Sequence, residues 1–189
     1  RADYYAFNKE IMVLAKARGI NPNLLPLGMH KWISRLAEAL QQPLPGASAH
    51  ALMSPAGRGN TEEYILSLSE SPRNSAVLMI LYPNDDGLNM VLIKRPDYEG
   101  VHSGQISFPG GKFEEGDIEF VQTALRETFE EIGVATEKIK IVGALSRIYI
   151  PPSNFLVYPY IGFCDAPPHF NIDAEVDRVI TVSADVILD

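Results

Sequence analysis

The chain has 189 residues, 46% of them hydrophobic and 21% charged, which excludes a disordered protein and fits one domain, or one domain plus an appendage. Its formal charge of −8 argues against binding to a nucleic-acid polymer, because the main non-specific term, phosphate attraction, would become repulsion. The single Cys164 permits no internal disulfide and no cysteine-built zinc site, and suits a reducing cytoplasm.

In chain order, Ile11, Leu14, Ala15 and Arg18 predict a short amphipathic helix, ended by Gly19 and the breaker run Asn21-Pro22-Asn23. A second helix is expected over residues 31–41, with Trp32, Ile33, Leu36, Ala37 and Leu40 along one stripe and Pro43, Pro45 and Gly46 closing it. Residues 47–74 show no strong period and include the loop-like run 54–59. From Ser75 the pattern turns to strands, at 76–82 and 88–94, joined by the hairpin signal Asn84-Asp85-Asp86-Gly87. The apolar run 76–82 is also the longest in the chain, far short of the roughly 20 residues of a membrane helix, and no secretory signal pattern is visible. A third strand over 105–108 leads into Pro109-Gly110-Gly111. A helix is then expected over 118–132, with Gly133 as its cap. Strands at 139–144 and 157–163 follow, the second preceded by an exposed-looking loop, Pro151-Pro152-Ser153-Asn154. Strands around one central helix point to a mixed α/β domain rather than a doubly wound sheet.

The helix over 118–132 carries the chemistry. At about 100° per residue, Glu127, Glu130 and Glu131 share one arc, while Val121, Ala124, Leu125, Thr128, Phe129 and Ile132 form a packing arc. The acids lie in the last turns, where the helix dipole disfavours anions by ~0.3–1 kcal/mol each, and they repel one another. Arg126 reaches Glu130 at i+4, though in the less favourable order. Two readings fit: a solvated acidic face, or oxygen ligands for a hard divalent cation such as Mg²⁺ or Mn²⁺. Gly110-Gly111 just before this helix offers close backbone approach to a ligand.

Residues 111–134 resemble the Nudix box, Gly-x5-Glu-x7-Arg-Glu-(aliphatic)-x-Glu-Glu-x-Gly-(aliphatic). Gly111, Arg126, Glu127, Glu130, Glu131, Gly133 and Val134 match it. The chain departs at Asp117, which replaces the first Glu, at the eight rather than seven residues before Arg126, and at Thr128. Upstream, Leu92, Arg95, Gly104, Phe108, Pro109, Gly110 and Gly111 are similar to the signature of the coenzyme A pyrophosphatase branch. Ile93, Pro96, Glu99 and Gly100 depart from it; at Gly100 that branch has an arginine. The likeness covers about residues 30–189.

The resemblance implies a Nudix-type α/β/α sandwich with a mixed central sheet, spanning residues 29–189 and lacking its C-terminal element, with 1–28 as a helical appendage or linker. It also implies a pyrophosphohydrolase that cleaves the diphosphate linkage of coenzyme A or a related nucleoside diphosphate derivative. The alternatives are ADP-ribose, NADH or oxidised nucleotides as substrates, or a non-catalytic nucleotide-binding domain. Mg²⁺ or Mn²⁺ would be held by Glu127, Glu130 and Glu131, with the Gly111 carbonyl as a fourth ligand, and Arg126 would orient the carboxylates. Arg95, Gly110 and Gly111 would meet the substrate, although Arg95 also reads as a surface cation at a strand end. Glu175 is the candidate general base, or a residue of a solvated acidic turn. His102 is a weaker candidate near the substrate, and Tyr149 and Phe155 are candidates for stacking on an adenine. A homodimer is a candidate assembly. No membrane partner is expected. Between Gly110 and Val134 seven acids face two bases, so −5 of the −8 falls within 25 residues. That concentration suits a cation site through which a phosphate ligand becomes acceptable.

Overall fold

The computed structural model describes residues 13, 14, 17, 25–52, 65–85, 87–97, 99 and 103–184. Most of the first expected helix, the run 54–59, Asp86, Gly100 and His102 lie outside these residues. Helices α1 (Leu25–Leu40), α2 (Ala47–Ala51) and α3 (Phe120–Ile132) are described, and residues 13, 14, 17, 65 and 66 are also helical. Eight strands accompany them: β1 (Arg73–Asn84), β2 (Gly87–Lys94), β3 (Ile106–Ser107), β4 (Gly110–Lys112), β5 (Lys140–Ala144), β6 (Ile148–Ile150), β7 (Phe155–Phe163) and β8 (Arg178–Ser183). No helix among the described residues is long and apolar enough to cross a membrane.

One mixed sheet contains all eight strands, with β1 at its centre. Along one edge β1 pairs in parallel with β7 from Arg73↔Phe155 to Leu81↔Phe163, a pairing that requires the crossover through α3. The other edge of β1 is divided. Its first part pairs with β4 (Ser75↔Lys112 to Val77↔Gly110), and its end pairs with β2 across the hairpin (Leu81↔Met90 to Asn84↔Gly87). Between the two, the Leu78 N–H donates to the Pro109 carbonyl at 2.9 Å. Beyond the hairpin, β2 takes β8 and β3 as its partners. The end of β2 and the start of β4 therefore bound a fork in the sheet.

Burial follows the strand period of two. Ala76, Leu78, Ile80 and Tyr82 point to one face of β1 and join Ala124 and Ile132 of α3 in one apolar cluster. Met79 and Leu81 point to the other face and join Trp32, Leu36 and Ala39 of α1. With α1 on one face and α3 on the other, the expected α/β/α sandwich with a mixed sheet is what the chain forms. Helix α1 is longer than its predicted span; it starts at Leu25, so residues 28 and 29 both fall within it. Leu14 is buried in the same cluster as α1. Strands β4, β6 and β8 and helix α2 have no counterpart among the elements expected from the sequence.

At the fork the backbone needs a glycine. Gly110 sits at φ 150°, and a Cβ there would run into the Ala76 carbonyl and the Val77 side chain. Gly110→Ala is expected to lower stability by about 2 kcal/mol, read as a shift of the urea midpoint. An unshifted midpoint would mean the β1–β4 approach is looser than described.

Candidate functional site

Helix α3 starts where the Gln122 side chain accepts from the Ile118 and Glu119 N–H groups at 2.7 and 3.2 Å. It ends at Gly133 in the left-handed region (φ 70°), as expected of the cap, with the Gly133 N–H donating to Phe129. Two more carbonyls at this end find donors in a returning loop: Asn171 N–H meets Ile132 O, and Asp173 N–H meets Glu131 O. Those bonds bring residues 171–175 over the end of α3.

A cleft of about 570 Å³ lies at this end of the helix, lined by six acids (Glu114, Glu127, Glu130, Glu131, Asp173, Glu175) and three bases (Arg95, Lys112, Arg126), together with Gly110 and Gly111. Of the residues put forward from the sequence, Arg95, Gly110, Gly111, Arg126, Glu127, Glu130, Glu131 and Glu175 are brought together here. Lys112, Glu114 and Asp173 were not singled out. Their signal was available in the acidic run after Gly111 and in Asp173-Ala174-Glu175.

Glu131 is 2% exposed. Its Oε2 accepts from the Gly110 N–H at 2.8 Å and its Oε1 from Arg95 Nη2 at 3.1 Å. The same Nη2 donates to the Gly110 carbonyl at 3.0 Å. Burial pushes the Glu131 carboxyl up to about 7, although Arg95 and the Gly110 N–H pull the other way. Glu127 is also pushed up by burial, against the pull of Arg126. Its carboxylate lies against the spot where a Cβ on Gly111 would point, so glycine at 111 leaves room for the Glu127 side chain to lie on β4 in this rotamer.

Arg126 forms the other half of the framework. Nε and Nη2 donate to the two oxygens of Asp117 at 3.1 Å each, Nη2 also donates to the Lys112 carbonyl at 3.1 Å, and Nη1 donates to Glu127 at 3.0 Å and Glu130 at 2.9 Å. Asp117 additionally accepts from the Glu114 N–H and the Thr123 hydroxyl. Those bonds, the Arg126 guanidinium first, hold its carboxyl down at about 2. The departure from the box at residue 117 thus gives a shorter acid, set one residue further back, that grips Arg126 rather than facing the cleft.

Several expectations change. Phe129, placed on the packing arc, is 54% exposed, whereas Glu131, placed with the free carboxylates, is buried. Thr128 is buried on the packing side as read, and donates to the Ala124 carbonyl. Tyr149 is buried and donates to Asn154, and Phe155 lies under the Arg73 guanidinium at 4.2 Å, so neither ring lines the cleft. The loop before β7 is a 3-10 turn, Pro151–Ser153, only partly exposed.

The donor set suits a hard divalent cation: three carboxylates, main-chain carbonyls at a glycine pair, and net negative charge. In the conformation described, Glu127 and Glu130 turn to Arg126 while Glu131 turns to Arg95 and Gly110. Among the described residues no three His, Cys, Asp or Glu side chains form a ready-made metal group. Ligation by these acids therefore requires their pairing with the arginines to be broken.

Residues 72–185 match the NUDIX domain. The chain is similar to Nudix hydrolase 3 of Caenorhabditis elegans, at 40% identity over 51% of this chain and 40% of that protein. It is also similar to the mitochondrial Nudix hydrolase 15 of Arabidopsis thaliana, at 37% identity over 58% of this chain and 40% of that one. It thus spans about two fifths of the length of these curated relatives. Among solved structures, the NUDIX domain of Shewanella oneidensis NrtR, in complex with ADP ribose, superposes with a TM-score of 0.51 at 20% identity, over 67% of this chain and 85% of that one.

Loss of the Arg126 anchor should be visible in stability. Asp117→Asn is expected to cost about 2 kcal/mol at neutral pH, the usual range for hydrogen bonds to a charged partner. Because the folded carboxyl titrates below its ordinary 3.8, the Asp117 contribution is complete above that value and is lost as pH falls through about 2. Urea melts should therefore show a constant wild-type advantage above pH 5 that shrinks below pH 4. An advantage independent of pH would contradict the ion pair.

Proposed function

The chain belongs to the NUDIX family, and from that premise we propose that it is a metal-dependent pyrophosphohydrolase acting on a small diphosphate compound, coenzyme A or a related nucleoside diphosphate derivative. The carrying observation is the meeting of the α3 acids with the Gly110-Gly111 turn in one cleft that also holds Arg95 and Lys112. Glu127, Glu130 and Glu131 would hold Mg²⁺ or Mn²⁺, with the Gly111 carbonyl as a further ligand. Such an ion, when bound, offsets the substrate's charge and lowers the pKa of an attacking water.

The remaining roles belong to the chain itself. Arg126 positions Glu127 and Glu130 while Asp117 fixes Arg126. Arg95 and Lys112 bring positive charge to the cleft, suited to a phosphate oxygen. Glu175, exposed on the loop that closes the end of α3, is the proposed proton acceptor from water. Support for coenzyme A comes from the upstream signature, whose Arg95, Gly110 and Gly111 all line the cleft. ADP-ribose, NADH and oxidised nucleotides are the alternatives, and so is binding of a nucleotide without turnover. A cytoplasmic, reducing setting is proposed from the buried free Cys164, with a homodimer as the candidate assembly.

The test is a panel of coenzyme A, ADP-ribose, NADH and deoxynucleoside triphosphates, each with Mg²⁺ and with Mn²⁺. Turnover of at least one member is expected, abolished by Glu130→Gln or Glu131→Gln. No turnover of any member would sink the enzymatic reading, and turnover surviving both substitutions would sink the site. Glu175→Gln is expected to lower kcat ~100-fold with little change in KM, as loss of a general base does. An unchanged kcat would remove Glu175 from the mechanism.

A further inference from the structure

We propose that Arg95 is a displaceable counter-ion: it neutralises the buried Glu131 carboxylate in the absence of a metal ion, and is released toward the diphosphate when a cation takes its place. The inference rests on the cation-dependent reading above and deepens it, since it links ion binding to substrate binding through one side chain.

Two arginines hold the three acids, and their anchoring differs. Arg126 is tied by both Asp117 oxygens and the Lys112 carbonyl, so it stays when Glu127 and Glu130 turn away. Among the described residues Arg95 has no such tether. Among the described residues its side chain donates only through Nη2, to Glu131 at 3.1 Å and to the Gly110 carbonyl at 3.0 Å; Nε and Nη1 find no acceptor. The group is 23% exposed against 3% for the carboxylate it meets, so it can turn into the cleft without crossing the core. Glu131 cannot follow it, because the Gly110 N–H holds Oε2 at 2.8 Å.

A buried carboxylate, while ionised, is stabilised by a positive partner. Arg95 fills that role until a divalent cation does, and one carboxylate oxygen cannot serve both equally well. A displaced Arg95 keeps its backbone tie, Arg95 N–H to the Gln105 carbonyl at 2.9 Å, so its guanidinium remains at the cleft. There its planar donor fork suits a phosphate. Ion binding and diphosphate binding then favour one another, and by linkage each raises the affinity of the other by the same factor.

The experiment uses Mn²⁺ alone, titrated into the stripped protein and followed by electron paramagnetic resonance, with thermal melts in parallel. Without ion, Arg95→Gln should melt below wild type. It should bind Mn²⁺ about ten-fold more tightly, near the lower end of couplings between linked sites, and gain more Tm from the ion than wild type does. A merely structural arginine would give the Tm loss without the tighter binding. In the unsubstituted protein, Mg²⁺ should speed solvent exchange of the Arg95 guanidinium protons seen by NMR, a reading that holds even if Arg95→Gln fails to fold. Equal or weaker Mn²⁺ binding by a folded Arg95→Gln, or unchanged exchange on adding Mg²⁺, overturns the counter-ion role alone. A wild-type protein that takes up no Mn²⁺, or whose uptake survives Glu127→Gln and Glu131→Gln, overturns the metal-dependent reading with it.

Discussion

Arg126 has five N–H groups, and each donates to a different acceptor atom: the two Asp117 oxygens, the Lys112 carbonyl, Glu127 and Glu130. A lysine, with three donors on a point charge, could not make this pattern. The guanidinium joins the loop after β4 to the outer face of α3. It thereby holds two acids in the last turns of a helix, where the dipole and mutual repulsion both act against them. Asp117 makes the arrangement durable, because a carboxylate held far below its ordinary pKa keeps the guanidinium paired across the neutral range.

The forked sheet supplies the partners of the third acid, Glu131. Strand β2 leaves β1 after the hairpin, β4 takes its place along the strand, and Gly110 is pressed against β1 at a φ only glycine adopts with ease. Its N–H and carbonyl then face Glu131 and Arg95, residues separated by 36 positions in sequence. Core packing of α3 against β1 takes Glu131 out of water, and the two donors make that burial tolerable. The same packing that builds the fold therefore gathers the negative charge that is proposed to hold a cation.

Much of this was legible in the sequence. The Asn84–Gly87 hairpin signal, the apolar runs of β1, β2 and β7, and the Gly133 cap all have local causes, and they formed as expected. So did the gathering of the α3 acids, because helical spacing alone puts them on one side. What failed to show depended on partners distant in sequence. Strand β4 is Gly110, Gly111 and Lys112, with no strand propensity, and is a strand only because β1 offers it an edge. Strand β8 has no fully buried residue and is fixed by its pairing with β2. The wheel separated two arcs correctly but could not tell how deep each would lie. Phe129 therefore came out exposed and Glu131 buried, the reverse of what their polarity suggests.

The acids of α3, held by Arg126 and Arg95, are proposed to form a divalent-cation site. Its most direct test is a crystal structure grown with Mn²⁺, the ion located by anomalous scattering. Mn²⁺ is expected on carboxylate oxygens of at least two of Glu127, Glu130 and Glu131, with Arg126 still on Asp117. Mn²⁺ found elsewhere on the protein, with the α3 acids still paired to their arginines, would contradict it.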